Sequence, residues 1–109
     1  MIKIPVKPLS ANRAFRGKKF KTAEYKIYET LLMWTLPKCE IPKGKLEISA
    51  TVGYSNPKSD LDNFFKQFAD ILCKKYKFDD SRFYRINLTK DIVEIGREYI
   101  EFEIRQFKD

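Results

Sequence analysis

The sequence predicts an α+β fold in a single small domain, with two helices packed on one face of a small mixed sheet in the order β-α-β-α-β-β. Three observations lead there. Residues 45–54, KLEISATVGY, alternate apolar and polar with a period of two. Apolar side chains at 61, 64, 65, 68, 71 and 72 have the spacing of one helical stripe. A chain of 109 residues that is 43% hydrophobic suits one domain, 1–109, with a real core and modest stability.

Residues 2–6 alternate weakly and include Pro5, the mark of an edge strand. A loop over 8–22, PLSANRAFRGKKFKT, gathers Arg13, Arg16, Lys18, Lys19 and Lys21 around Phe15 and Phe20. Thr22 is the N-cap of a first helix that runs through Trp34. Its apolar stripe is Ile27, Leu31 and Trp34, with Tyr28 and Leu32 alongside, and Pro37 ends it. In the strand over 45–54, Leu46, Ile48, Ala50, Val52 and Tyr54 share one face, and Lys45, Glu47, Ser49 and Thr51 share the other. Asn56-Pro57 breaks that strand. The second helix spans 62–77, with Phe64, Phe65 and Phe68 in the core and Asp62, Lys66 and Asp70 aligned at i,i+4 steps on the opposite flank. Strands over 83–89 and 98–106, turning near Gly96, complete the sheet.

Composition narrows the chemistry. There is no histidine, which excludes Ser-His-Asp triads, Cys-His nucleophiles, histidine nucleases and the usual zinc sites. Hydrolysis near neutral pH would have to rest on carboxylates, lysine or a hard cation. With 22 Lys and Arg against 15 Asp and Glu, the net charge of +7 makes nucleic acid the leading partner, ahead of an anionic membrane surface. No apolar run spans a membrane and no signal peptide is present, so the expectation is a cytoplasmic protein with Cys39 and Cys73 as reduced thiols.

Against that basic background stand two acidic pairs, Asp60 and Asp62 in KSDLDNFFK and Asp79 and Asp80 in KFDDS. Asp60 and Asp62 fit helix-entry acids, which complement the helix dipole by about 0.3–1 kcal/mol. That account does not reach Asp79 and Asp80, which follow the helix where the dipole disfavours negative charge. A divalent metal accounts for both pairs, with Lys66 beside it to neutralise phosphate. Lys66 equally fits an i,i+4 ion pair with Asp62 or Asp70, and Asp70 fits that pair or an outer contact to the metal shell. A helix over 62–77 is about 24 Å long at ~1.5 Å per residue, too long for both ends to meet one ion. Two copies packed antiparallel about a two-fold axis would set Asp60 and Asp62 of one chain near Asp79 and Asp80 of the other. The basic loop reads as a phosphate contact or as a solvated loop. Asn12 reads as a loop-orienting or backbone-touching residue, and Phe15 as a wedge at a branch point or as packing beneath the loop.

The run DLDNFFKQFADIL followed by FDDS resembles the signature of RusA-type crossover-junction endodeoxyribonucleases. That signature has D-x-D-N, a lysine four residues after the second Asp, an acid four further on and a D-D pair past the helix. Asp60, Asp62, Asn63, Lys66, Asp70, Asp79 and Asp80 stand at those spacings. PLSANRAFR resembles the N-terminal P-x-S-x-N-R segment of the family, and Lys90 fits a lysine often found after the third strand. Lys58 and Ser59 stand where some members carry an arginine run. The resemblance implies a homodimeric, Mg²⁺-dependent nuclease, with Mn²⁺ as a substitute, that resolves four-way (Holliday) DNA junctions by paired symmetric nicks in recombination and repair. It implies metal sites shared between subunits, with Asp60, Asp62 and Asp80 as carboxylate ligands, Asp79 assisting and Lys66 as catalytic lysine. Asn12, Arg13, Arg16, Lys18, Lys19 and Lys21 would meet branched double-stranded DNA. The alternatives are a non-catalytic nucleic-acid-binding module of the same fold, and a nuclease acting on flaps or forks.

Overall fold

The alternation at 45–54 becomes the strand around which the sheet is built. The computed structural model describes residues 1–17 and 20–109. Its elements are β1 (Ile2–Ile4), α1 (Ala11–Ala14), β2 (Phe15–Arg16), β3 (Phe20–Lys21), α2 (Ala23–Thr35), β4 (Leu46–Tyr54), α3 (Phe65–Tyr76), a 3₁₀ turn (Asp80–Arg82), β5 (Phe83–Ile92) and β6 (Tyr99–Gln106). The main sheet has the order β1-β6-β4-β5, while β2 and β3 form a separate two-stranded ribbon. The strand β4 is parallel to β5 and antiparallel to β6, and β6 is antiparallel to β1, so the sheet is mixed. This is the expected α+β domain in its main elements. The short helix α1 and the β2–β3 ribbon lie where an unstructured basic loop was expected.

Leu46, Ile48, Ala50 and Val52 of β4 are buried, as the alternation requires. Of these, Ile48, Ala50 and Val52 meet Tyr25, Tyr28 and Leu32 of α2, and Phe68, Ile71 and Leu72 of α3, with Ile100 and Phe102 of β6 completing the layer. Phe68 meets Phe102 edge-on with ring centroids 5.5 Å apart. Each such fully buried side chain contributes about 1.5–3 kcal/mol of transfer free energy. On the opposite, solvent-facing side of the sheet, Tyr99 lies across Gly53 so closely that a Cβ there would stand 2.5 Å from its ring. The Tyr99 hydroxyl donates to Asp91 at 2.8 Å, and the Lys3 ammonium sits 4.3 Å from the ring centroid.

The start of α2 is the expected one: Thr22 is extended and its hydroxyl oxygen accepts from the Tyr25 N–H at 3.2 Å. The same hydroxyl donates to the Arg13 carbonyl, which ties α1 to the start of α2. Thr35 is the last helical residue, and Leu36 is extended ahead of Pro37. The face that α2 buries is not the expected one. Tyr25, Tyr28, Leu32 and Leu36 point inward, whereas Ile27, Leu31 and Trp34 are exposed. Both stripes are apolar, and the aromatic one at 25 and 28 fits against the sheet.

The expected helix over 62–77 is shorter at both ends. Residues 61–64 are wound into turns, with the Asp60 carbonyl accepting from Asn63 N–H at 3.3 Å and the Asp62 carbonyl from Phe65 N–H at 3.0 Å. Regular helix starts at Phe65 and ends before Lys77, whose φ of 57° is the left-handed cap that closes helices. Leu61, expected in the buried stripe, is exposed. The strands over 2–6 and 83–89 become Ile2–Ile4 and Phe83–Ile92.

One polar side chain in the core, Gln67, is completely buried. Its amide nitrogen donates to the Leu9 carbonyl and, at 2.8 Å, to the Asn63 carbonyl. The Ala11 N–H donates to the same Asn63 carbonyl at 3.2 Å. The segment before α1 is thereby stitched to the entry of α3. Replacing Gln67 by Leu leaves a buried carbonyl without its donor, which typically costs about 1–3 kcal/mol. Urea denaturation of Gln67→Leu should show that loss. Hydrogen exchange should show faster exchange at the Ala11 amide than global destabilisation alone produces.

Candidate nucleic-acid and metal site

The chain leaves β4 at Tyr54, turns at Asn56-Pro57 and carries Asp60 and Asp62 along the rim before α3 begins. This rim loop is held from β5: the Lys90 ammonium donates to the carbonyls of Pro57 and Ser59, both at 3.0 Å. Lys90 pairs in register with Val52, a buried position of β4, so it lies on the helix-covered side of the sheet and reaches under the loop. Asp60 and Asp62 are exposed, and their charges act on one group, the Tyr54 hydroxyl. Burial first, and then Asp62 and Asp60, push the Tyr54 pKa up to about 12, so the phenol keeps its proton.

Neither aspartate caps α3, whose entry at Phe64 has no side-chain cap. Among the described residues the side chains of Asp60, Asp62 and Lys66 make no hydrogen bond or ion pair. The expected i,i+4 ion pairs of Lys66 with Asp62 and Asp70 are therefore not formed within 4 Å. Three ionic groups along one ridge remain available to something outside the protomer.

Lys66 and Asp70 line an open pocket of about 720 Å³ with Asn12, Phe15 and Gly17. Asp70 also borders the next depression, about 500 Å³, together with Cys73, Asp79 and Asp80. At the other end a pocket of about 300 Å³ is lined by Lys7, Ser10, Arg13, Tyr54, Asp60 and Asn63. Together these hollows follow one flank of α3 from Asp60 to Asp80. Half-burial raises the Asp70 pKa, Lys66 and Lys21 pull it back, and Asp80 raises it further. The charges of Lys66, Asp80 and Lys21 thus all act on Asp70. Burial, followed by Asp80, Asp70 and Asp79, pushes the Cys73 thiol up to about 11, so it stays protonated; both cysteines are free thiols.

The second acidic pair divides into two roles. Asp79 caps the 3₁₀ turn, accepting from the Ser81 N–H at 2.9 Å, and that bond first of all holds its carboxyl below the usual range. Asp80 is exposed on the turn itself. Regular α3 has 12 residues, or about 18 Å at ~1.5 Å each, and separates this pair from Asp60 and Asp62. Among the described residues no three His, Cys, Asp or Glu side chains gather closely enough within one protomer to hold a metal ion.

Of the basic residues singled out in the sequence, Arg13 lines the Asp60 pocket and lies 4.0 Å from Glu24, an exposed pair. Arg16 is exposed on β2. The Lys21 ammonium stands 4.9 Å from the Tyr25 ring centroid and acts on Asp70. Lys18 and Lys19 lie outside the described residues. Phe15 is half-buried, its ring 5.4 Å from that of Tyr25, which fits packing beneath the ribbon. Sequence reasoning missed Tyr54 and Gln67 as parts of the site. Gln67 was legible as a polar residue inside the apolar stripe, and Tyr54 as the last residue of the buried face of β4.

Among the described residues no helix is long and apolar enough to cross a membrane. No family model matches the chain, and no curated protein matches it.

The raised pKa of Asp70 carries a sign. A carboxyl whose folded-state pKa lies above its unfolded value favours folding when protonated, so its ionisation weakens the fold as pH rises. Asp70→Asn, which copies the protonated group, should melt at a higher temperature than wild type near pH 7. The gap should close as the pH falls to about 4 and below, as measured by melting across a pH series.

Proposed function

We propose that this chain is a RusA-like, Mg²⁺-dependent endodeoxyribonuclease that cuts branched DNA, with the four-way junction as its substrate, and that it acts as a homodimer. The observation that carries the reading is the ridge on which Asp60, Asp62 and Lys66 stand exposed and uncommitted, with the loop before α3 held by Lys90 rather than left free. The resemblance of DLDN-x₂-K and the D-D pair to that family supports it, as does the net charge of +7. A hard cation suits the donor set, since the carboxylates offer only oxygen and no histidine competes. Asp60 and Asp62 would hold it, with Asp80, and Asp79 assisting, supplied from the partner subunit because the ends of α3 lie apart within one chain. When bound, Mg²⁺ or Mn²⁺ supplies an activated water and counter-charge for a phosphodiester.

The protein's own groups do the rest. Lys66 places a positive charge where the phosphate gains negative charge during displacement, and such a preorganised contact is worth about 10²–10³ in rate. Lys90 acts through the loop carbonyls and fixes where Asp60 points. The Tyr54 hydroxyl, kept protonated, lines the same pocket as Asp60. Asn12, Arg13, Arg16 and Lys21, with Lys18 and Lys19 of the same basic stretch of sequence, provide the phosphate contacts of the duplex arms.

Asp62→Asn and Lys66→Ala should each slow nicking of a labelled four-way junction by at least about 10²-fold while junction binding persists. Wild-type cutting by either variant would refute these roles, and wild-type binding without cutting would favour a non-catalytic binding module. A panel of junctions, flaps and forks tests the choice of branched substrate. Affinity should fall with salt at about 0.9 per phosphate contact on a log–log plot, and Arg13→Ala combined with Arg16→Ala should flatten that slope.

A further inference from the structure

Both turns that flank α3 carry acids, and each is gripped by a cation whose donors go to backbone carbonyls. At the entry the cation is Lys90. At the exit it is Arg82, the half-buried last residue of the 3₁₀ turn that carries Asp80. Its Nε donates to the Gly44 carbonyl at 2.9 Å, and its Nη2 donates to the Pro42 carbonyl. Among the described residues Arg82 makes no ion pair within 4 Å.

The segment that receives Arg82 is itself fixed. Residues 42–45 lead into β4, and their carbonyls are taken alternately by two elements. Those of Pro42 and Gly44 accept from Arg82. That of Lys43 accepts from the Gln106 side-chain amide at 3.3 Å, and that of Lys45 from the Phe107 N–H at 2.8 Å. The end of β6 thus sets the segment against the sheet, and Arg82 ties the exit turn to the segment. Bonds within the turn act differently. The Ser81 N–H donates to the Asp79 carboxylate at 2.9 Å and the Arg82 N–H to the Asp79 carbonyl at 3.1 Å. These give the turn its shape. Its orientation on the domain falls to the flanking Phe78–Phe83 pair, edge-on with centroids 5.5 Å apart, and to the guanidinium.

We propose that Arg82 is a positioning residue for Asp80: by gripping residues 42–44 it fixes the direction in which the Asp80 carboxylate is presented. The grip stands on the hydrogen bonds alone, while its purpose rests on the nuclease reading. Asp80 is exposed, so no packing around its own side chain orients it. A carboxylate that serves a hard cation has to arrive within about 2.1 Å of it. Two bonds from one rigid, planar guanidinium resist rotation of the turn in a way that a single flexible donor does not.

Manganese titration without DNA tests this, with free Mn²⁺ read by its paramagnetic resonance and every variant held below its melting transition. Arg82→Ala should bind Mn²⁺ at least about tenfold more weakly, the usual effect of losing a group that orients a ligand. The sign is decisive, because deleting a cation near a carboxylate strengthens metal binding when charge alone is at work. Arg82→Lys, which can donate to two carbonyls as Lys90 does, should recover most of the affinity. Nicking of a four-way junction should follow the same order, through kcat and not KM. Unchanged or tighter Mn²⁺ binding by Arg82→Ala overturns the proposal. Should that variant not fold, Arg82→Gln decides: weaker binding upholds the proposal and wild-type binding overturns it. A wild type that neither takes up Mn²⁺ nor cuts junctions fails the nuclease reading instead. The grip is then read from hydrogen exchange of the metal-free protein, where a Ser81 amide that exchanges no faster in Arg82→Ala overturns it.

Discussion

Two neighbouring parallel strands cannot be joined by a tight turn, because the chain must return to the end from which it started. The pairing of β4 with β5 therefore obliges a crossover, and α3 is that crossover. This one obligation decides where the acids lie. The turn out of β4 becomes a rim loop carrying Asp60 and Asp62, the turn into β5 carries Asp79 and Asp80, and α3 holds the two apart by its own length. Burial of Phe68, Ile71 and Leu72 against β4 and β6 fixes the rotation of the helix, so Lys66 and Asp70 face outward along the joining flank. A site laid along a crossover helix inherits the rigidity of the sheet beneath it.

A second layer of order comes from uncharged groups. The Gln67 amide satisfies carbonyls on two separate segments, and in a buried place an amide does so without the desolvation cost of an ion. It draws the N-terminal basic segment over the flank of α3, where Lys21 acts on Asp70 and Arg13 borders the pocket of Asp60. Lys21 and Arg13 thus stand near Asp70 and Asp60 without a direct ion pair to either. Lys90 achieves something similar with a charge: its ammonium is spent on two carbonyls of the rim loop, so it orders the acids without cancelling them.

How much of this was readable beforehand depends on how local the cause is. The Thr22 cap, the stop at Pro37 and the period of β4 are decided within a few residues, and each formed where the sequence put it. The buried face of α2 is not local: apolar residues at 25, 28, 32 and 36 compete with those at 27, 31 and 34, and only the fit to the sheet chooses between them. The entry to α3 misled for another reason. Helical spacing from residue 61 onward is shared by a run of turns, and the i→i+3 bonds from Asp60 and Asp62 hold that run short of regular helix. The acids and Lys66 were legible as types and spacings. Their lack of intramolecular partners, and the support from Lys90 and Gln67, depend on contacts distant in sequence.

The close approach of Tyr99 to Gly53 has a consequence for how the chain can vary. The ring fills the volume that any side chain at 53 would claim, and it reaches over to Asp91 only because nothing stands there. Those two places in the chain behave as one inherited character, in which bulk gained at 53 must be surrendered at 99. Descendants of this chain should therefore show the two changing together or not at all.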